Sequence, residues 1–257
     1  MSVSEEHAPV EVTLRGAVGE SAGRYAQEKV EQALSVARPR VLHAHVVLDL
    51  RHDPAVQRPA RAEATVDVEG TTLRAHATAP TMTEAVDELE DRLRRRLVQL
   101  QDRTRTRHRW TGVATGHEWR HGDRPRKPVP YYPRPEESRE VVRHKSFAAA
   151  PMTTDEAAFD MDLLDHDFYL FTDVGSGEPA VVHRLPDGGY GVKGGATEES
   201  VAAVTHEPSP PTLTDAEARI RLEADSEPFV FYLDAETGQG RVLYRRYDGH
   251  YGLITQE

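Results

Sequence analysis

The residue pattern with the most direct chemical meaning in this sequence is His-Glu-Trp-Arg-His at residues 117–121. On a helix, His117 and His121 would share one face and could hold Zn²⁺, with Glu118 as a general base. Glycines and prolines surround the pattern and no apolar stripe accompanies it, so a helix is not expected there. We therefore predict surface histidines, no metal site, no cofactor and no enzymatic activity. A metal-dependent hydrolase stays as an alternative.

A second set of residues could bind phosphate groups. Arginines recur at helical spacing in the second half of a long predicted helix that starts near Thr83, and guanidinium groups suit phosphate. The first half of the same helix is acidic, and this order also suits the helix dipole and solvated ion pairs. The residue types therefore leave a phosphate-binding face and a solvated face both open. The arginines concerned are Arg92, Arg95, Arg96 and Arg103.

Basic and aromatic side chains are interleaved in the proline-rich stretch that follows this helix. Such a mixture suits single-stranded RNA, because aromatic rings stack on bases and cations contact phosphates. It equally suits a solubilising linker whose aromatic residues dock on a neighbouring domain. The residues are Trp110, Trp119, Tyr131 and Tyr132, among Arg107, Arg109, Arg120, Arg124, Arg126 and Lys127.

Composition and charge narrow the class of protein further. The 257 residues include no cysteine, which excludes disulfides, thiolate metal sites and cysteine nucleophiles. No apolar run reaches the roughly 18 residues of a membrane helix, and the N-terminus lacks a signal-peptide pattern, so we expect a cytoplasmic protein without membrane contact. The net charge is −11, but residues 103–143 carry a net +6 and residues 144–257 a net −13. The front and middle of the chain can therefore approach a polyanion, whereas the C-terminal part cannot.

The N-terminal residues show apolar patterns that predict a small α+β domain. Alternation predicts strands at residues 10–18, 41–50, 60–68 and 73–79. One helix is expected after Ser21, as its N-cap, and another from about Thr83, each with an apolar stripe. The order β-α-β-β-β-α predicts a four-stranded sheet with two helices on one face.

The C-terminal part contains one module twice. Residues 152–192 match residues 213–253 at a constant offset of 61, and the match needs no gap. Self-similarity at a fixed offset indicates two copies of one structural unit. Each copy opens with a Thr-x-x-Glu capping box and continues with an aromatic strand, a second strand, an Asp-Gly turn and a Tyr-Gly strand. We therefore predict an α-β-β-β unit in both copies.

The two modules are predicted to pair with each other. A unit of about 45 residues without metal or disulfide rarely buries enough apolar surface to be stable alone. The connection between the copies gives an effective concentration on the order of mM. We therefore predict a monomer with an intrachain pseudo-dimer, whose core and pairing residues are Phe168, Phe171, Tyr190, Phe229, Phe231 and Tyr251. The predicted parts are residues 1–106 for the N-terminal domain, 107–140 for a basic linker, 141–195 for the first module and 208–257 for the second.

The motifs of both halves resemble the long-form ribosome hibernation promoting factor family. In the C-terminal half, the matching motifs are Val141-Val142-Arg143, Pro151-Met152, the segment 166–171, and Asp187-Gly188 with Tyr190-Gly191. In the N-terminal half, residues 82–97 resemble the family's second-helix signature, and Lys29 falls at a family lysine. The resemblance covers almost everything except the middle of the linker.

This resemblance implies a protein that binds the small ribosomal subunit, with its 16S rRNA and ribosomal proteins, near the decoding region. There it would lie across the mRNA and tRNA path of the 70S ribosome and inhibit translation during stress or dormancy, with no role for DNA. Contacts with rRNA phosphates would make binding steeply dependent on salt. The residues implied as rRNA contacts are Lys29, Arg92, Arg95 and Arg103, with Arg24 and Arg96 as neighbours.

Two departures from the family pattern shape the expectation. The first helix carries Glu28 and Glu31 where the family is richer in lysine. The module is also duplicated, as in dormancy-associated factors of actinobacteria, whereas ordinary long forms carry one copy and dimerise through it to join two ribosomes. An internal pair would occupy that surface, so we expect hibernation of single ribosomes. The alternative is a stress adaptor that binds a protein partner through its acidic modules and binds RNA only weakly.

Overall fold

The computed structural model describes residues 9–35, 37, 40–51, 57–109, 134–147, 151–186, 188–195, 204–225, 227–246 and 248–256, with the backbone alone for residues 103–109 and 147. The zinc pattern at residues 117–121 and the four aromatic residues of the linker lie outside the described residues. The chain forms two compact units, one built around the first sheet and one that contains both C-terminal modules.

The N-terminal unit has the predicted β-α-β-β-β-α order. Its elements are β1 (Val10–Gly16), α1 (Glu20–Leu34), β2 (Val41–Leu50), β3 (Ala60–Val68), β4 (Thr71–Ala79) and α2 (Met82–Arg109). The strand order in the sheet is β1-β2-β3-β4, with β1 parallel to β2 and the other neighbours antiparallel. Parallel neighbours need a crossover connection, and α1 provides it. The predicted fold class of this unit is confirmed.

The core of the N-terminal unit lies between the sheet and the helices. The inward positions of β3 alternate with its outward ones from Ala60 to Val68, and all the inward side chains are buried. Most of them are alanine, so they leave room above the sheet for larger side chains. The leucines of α2 fill that room, since Leu89, Leu93 and Leu97 are buried. The period of two in the strands and the apolar stripe in the helix therefore meet at one interface.

The helix ends differ from the prediction. α1 begins at Glu20 and has Gly19 at its N-cap position without a side-chain hydrogen bond, so the prediction of Ser21 as the N-cap was wrong. Glycine tolerates the extended N-cap backbone, and Glu20 in the first turn suits the helix dipole. α2 continues to Arg109, so residues 107–109, which composition assigned to the linker, are helical.

Each C-terminal module contains the predicted helix and three strands. The elements are β5 (Val141–Phe147), β6 (Pro151–Met152), α3 (Thr154–Leu163), β7 (Phe168–Asp173), β8 (Pro179–Arg184), β9 (Tyr190–Gly194), β10 (Val204–His206), β11 (Thr212–Leu213), α4 (Asp215–Ala224), β12 (Phe229–Asp234), β13 (Gly240–Arg245) and β14 (Tyr251–Gln256). Both capping boxes form. The Thr214 backbone N–H donates to Glu217 at 2.8 Å, and the Thr153 backbone N–H donates to Glu156 at 3.1 Å.

Two strands cross between the modules, which the sequence analysis did not anticipate. The sheets have five strands each, in the orders β10-β9-β8-β7-β6 and β11-β12-β13-β14-β5. β5 was predicted as part of the first module, but it pairs in parallel with β14, the last strand of the second module, and completes that module's sheet. β10 precedes the second module but pairs in parallel with β9, the last strand of the first. The exchange is reciprocal, as an approximate two-fold axis between the modules requires.

Candidate nucleic-acid interface

Lys29 of α1 lies in a hydrogen-bonded network with two carboxylates of α2. Its Nζ donates to Glu90 Oε2 at 2.9 Å and lies 3.2 Å from Asp87 Oδ1. The Tyr25 hydroxyl donates to the same Asp87 oxygen at 2.6 Å. The hydrogen bond to Glu90, followed by that to Asp87, raises the pKa of Lys29. The Tyr25 hydroxyl, followed by Lys29, holds the pKa of Asp87 below its usual range, so Lys29 and Asp87 are both charged at neutral pH.

The arginines of α2 differ in their surroundings. Arg95 is exposed to solvent. Arg92 is half-buried and donates to the backbone carbonyl oxygen of His76 on β4. Arg96 is buried and donates to the carbonyl oxygen of Arg74 on the same strand. Arg92 and Arg96 therefore satisfy backbone acceptors of the sheet, whereas Arg95 lies at the exposed surface of α2.

The predicted rRNA contacts whose side chains are described reach different parts of the N-terminal unit. Arg24 is exposed on α1, one helical turn from Glu20 and one from Glu28. Lys29 reaches the side of α2 that faces α1, while Arg92 and Arg96 reach β4. The side chain of Arg103 lies outside the described residues, although its backbone is helical.

The sheet face opposite the helices carries a cluster of charged side chains that was not predicted as part of the site. Glu63 of β3 lies 2.9 Å from Arg61 and also contacts Arg74 of β4. Burial alone would raise the pKa of Glu63, but the charges of the two arginines outweigh it and the pKa is lowered. Asp49 of β2 is the cross-strand partner of Arg61, so this face carries charges of both signs. The outward position of both arginines in their alternating strands was the signal that could have found this cluster.

Neither a metal site nor a membrane span is found in the described part of the chain. Among the described residues, no three His, Asp or Glu side chains are grouped so that they could hold a metal ion. Within the same ranges, no helix is long and apolar enough to cross a membrane.

The two modules meet through an apolar pairing surface. Its residues are Phe168, Leu170 and Val181 of the first module, and Phe229, Phe231, Val242, Tyr244 and Ile254 of the second. The rings of Phe168 and Phe229, which are equivalent residues of the repeat, lie 4.8 Å apart. Tyr244 packs on Phe168 at 5.5 Å, and its equivalent His183 packs on Phe229 at 5.3 Å. The predicted pairing of the modules within one chain is confirmed.

The aromatic residues that were predicted for core and pairing divide between two environments. Phe231 lies in the pairing surface, whereas Tyr251 lies with Tyr232 in the second module's own core beneath α4. Phe171 and Tyr190 are buried at the equivalent positions of the first module. Neighbouring residues on a strand point to opposite faces, so Phe231 and Tyr232 cannot both face the other module. Five residues of the pairing surface were not predicted from the sequence, namely Leu170, Val181, Val242, Tyr244 and Ile254.

Two protein-family models match this chain, and the matched ranges coincide with its structural parts. "Sigma 54 modulation protein / S30EA ribosomal protein" matches residues 10–105, which hold the β-α-β-β-β-α fold. "Sigma 54 modulation/S30EA ribosomal protein C terminus" matches twice, at residues 136–192 and 199–253, where the modules lie. The chain is thus of the S30EA ribosomal protein class, with its C-terminal module in two copies.

Several curated proteins are similar to this chain. A "Ribosome hibernation promotion factor" of Picosynechococcus sp. is 31% identical over 180 residues, which are 68% of this chain and 91% of the relative. That of Lactococcus lactis is 34% identical over 139 residues, 53% of this chain and 72% of the relative. The chain belongs to the long-form ribosome hibernation promotion factor family. A "Dormancy associated translation inhibitor" of Mycobacterium tuberculosis is 36% identical over 129 residues, and the chain spans about half of its length, with 45% of this chain and 47% of the relative matched.

Two solved structures are similar to part of the chain. A ribosomal subunit interface protein from Coxiella burnetii is 19% identical, covers 36% of this chain and 97% of its own, and has a TM-score of 0.29. The Protein Y N-terminal domain of Thermus thermophilus is 22% identical, covers 34% of this chain and 98% of its own, and has a TM-score of 0.27.

Proposed function

We propose that this protein binds the small ribosomal subunit near the decoding region, blocks mRNA and tRNA binding, and keeps single ribosomes inactive during dormancy or stress. The observation that carries the proposal is membership of a family whose matched relatives are named for ribosome hibernation and for inhibition of translation in dormancy. The protein acts by occupying the ribosomal site, without making or breaking a covalent bond.

The basic groups of the N-terminal unit supply the contacts with rRNA phosphates. Arg24 and Arg95 are exposed to solvent, where phosphate can reach them. Lys29 donates to carboxylates and Arg92 to a backbone carbonyl oxygen, so these protein acceptors compete with RNA for both cations. We therefore infer moderate affinity that falls steeply with salt.

The pairing surface supports action on single ribosomes. The family resemblance implies that one-copy modules join two ribosomes by pairing between chains. In this chain the Phe168 and Phe229 rings pair with each other, and β5 and β10 are exchanged between modules of the same chain. The surface that would join two chains is therefore already occupied in a monomer.

Co-sedimentation with 70S ribosomes tests this function. If about four phosphates are contacted, affinity should fall about 100-fold between roughly 50 and 200 mM monovalent salt. A sucrose gradient should show single ribosomes after the protein is added. Paired ribosomes would contradict the action on single ribosomes. Binding that is insensitive to salt would instead favour the adaptor alternative, in which the acidic modules bind a protein.

Release of Lys29 from its carboxylate partners should strengthen ribosome binding. The double substitution Asp87→Asn and Glu90→Gln keeps the hydrogen-bond acceptors for Tyr25 and Lys29 but removes both negative charges. We expect affinity to rise about 3- to 10-fold at low salt, since Lys29 and also Arg94, which donates to Glu90 at 2.7 Å, lose their carboxylate partner and become available to phosphate. Equilibrium sedimentation of labelled protein with ribosomes measures the change.

A control variant separates this local effect from that of net charge. Glu137→Gln with Glu178→Gln makes the same change in net charge at exposed carboxylates of the other compact unit. This control should bind like the unmodified protein. If the control and the double variant gained equally, Lys29 would have no specific role in binding.

A further inference from the structure

We propose that the two modules are complementary to each other but not to themselves, so that the pairing surface accepts only a module of the other kind. The inference concerns the pairing surface alone and does not depend on ribosome binding. A two-fold dimer of identical modules must repeat every contact with the same residue types on both sides. The repeat offset identifies the equivalent residues, and three contacts of the pairing surface cannot be repeated in that way.

The first contact joins Pro179 of the first module to Gly240 of the second, and these are equivalent positions of the repeat. A Cβ at Gly240 would lie 2.6 Å from Pro179 Cβ, far inside the usual 3.5–4.0 Å between carbon atoms. A dimer of two copies of the first module would therefore place Pro179 against a second Pro179, where there is room for one ring. Two second modules would set glycine against glycine and leave a gap.

The second contact joins Phe231 to Gly194. A Cβ at Gly194 would lie 3.2 Å from Phe231 Cε1, so the ring already fills the space beside this glycine. The residue of the second module equivalent to Gly194 is Thr255, which is branched at Cβ. Two second modules would thus bring a phenylalanine ring against a threonine side chain. Two first modules would bring only the smaller Leu170, the equivalent of Phe231, over the glycine.

The third contact is an ion pair at the edge of the pairing surface. Lys193 Nζ donates to Glu227 Oε2 at 2.7 Å, lies 3.3 Å from Glu207 Oε2, and lies 5.3 Å from the centre of the Phe229 ring. The equivalent residues are Ile254 for Lys193 and His166 for Glu227. Two first modules would replace the carboxylate by a histidine beside Lys193, and two second modules would replace the ammonium by an isoleucine beside Glu227. Neither combination keeps the charge pair.

Steric fit and charge therefore both favour pairing between a first module and a second module. The first module fits a second module, in its own chain or by reciprocal exchange with another chain. The contacts therefore disfavour like-with-like dimers of these modules.

Exchange of Pro179 and Gly240 in the full chain tests the proposal. Proline is acceptable at position 240, because Pro179 occupies the equivalent first residue of a strand. Gly240→Pro should lower the Tm of the C-terminal unit by about 10 °C, since two rings then occupy one space. The double variant Pro179→Gly with Gly240→Pro should recover the Tm to within about 3 °C of the unmodified protein, because it places the same two residues on opposite sides of the axis. Calorimetry measures the Tm, and light scattering measures the molar mass.

A double variant that is no more stable than Gly240→Pro would overturn the proposal, because the damage would then be local to β13. A Gly240→Pro chain as stable as the unmodified protein would overturn it as well. A second full-length variant replaces residues 212–256 by residues 151–195 and so carries two first modules. Its C-terminal unit should lose its cooperative unfolding transition, because the two first modules cannot pair with each other. A cooperatively folded C-terminal unit as stable as that of the unmodified protein would contradict the inference. These outcomes leave ribosome binding by the N-terminal unit unaffected, so the two proposals can fail separately.

Discussion

Reversal of the charges of Arg24 and Arg95 should lower ribosome affinity at least about 100-fold at physiological salt. Both side chains are exposed, so Arg24→Glu with Arg95→Glu leaves the core of the N-terminal unit intact. The change removes two cations and adds two anions next to rRNA phosphates, where repulsion acts within about 8 Å at this ionic strength. Co-sedimentation across a salt series measures both the affinity and the number of phosphates contacted.

The structure also supplies the control for this experiment. Arg143→Glu with Arg221→Glu makes the same change in net charge at exposed arginines of the C-terminal unit, and it should reduce affinity far less. Arg96→Ala should instead destabilise the N-terminal unit, since Arg96 is buried and satisfies a β4 carbonyl oxygen. Equal loss of binding in the two charge-reversal variants would reject Arg24 and Arg95 as the contact residues.

Truncation of the Phe229 side chain should strongly lower the stability of the C-terminal unit. Phe229 is 2% exposed and contacts the Phe168 ring at 4.8 Å and the His183 ring at 5.3 Å. We expect Phe229→Ala to lower the free energy of unfolding of the C-terminal unit by about 3–5 kcal/mol, the usual cost of such a cavity. Chemical denaturation of the full chain measures the loss. The exposed pairing surface should also cause self-association in sedimentation experiments.

The matched control for this prediction is Ile220→Ala, at an apolar residue of the same module that is 70% exposed on α4. It should change the stability by less than about 0.5 kcal/mol. A double-mutant cycle of Phe168→Ala with Phe229→Ala should show a coupling of about 1 kcal/mol, because the two rings contact each other directly. Additive effects would mean that the two phenylalanines belong to separate cores.

Much of the fold could be predicted because its signals are local. The period of two at residues 60–68 specifies a strand with one buried face whatever it packs against, and β3 has these bounds. The repeat offset specified two like modules without any knowledge of their contacts. The N-cap of α1 was predicted wrongly, because Gly19 and Ser21 are both acceptable cap residues and only the path of the chain selects between them.

The candidate site was less predictable than the fold. Its charges are altered by residues that are distant in sequence, such as the Glu90 carboxylate that holds Lys29 from 61 residues away. Helical spacing placed Arg92, Arg95 and Arg96 on one side of α2, but only the position of β4 decided which of them satisfy backbone carbonyl oxygens. The strand exchange could not be predicted either, since the composition of β5 does not indicate which strand it pairs with.

The sequence by itself determined the β-α-β-β-β-α domain, the basic helix and the duplicated modules, because each of them follows from residue types that recur at short or constant spacing. Only the tertiary structure decided which aromatic residues face the other module, which cations remain exposed, and which strand completes each sheet. These properties depend on packing between segments far apart in the chain, where a side chain's surroundings are set by geometry and not by its neighbours in sequence.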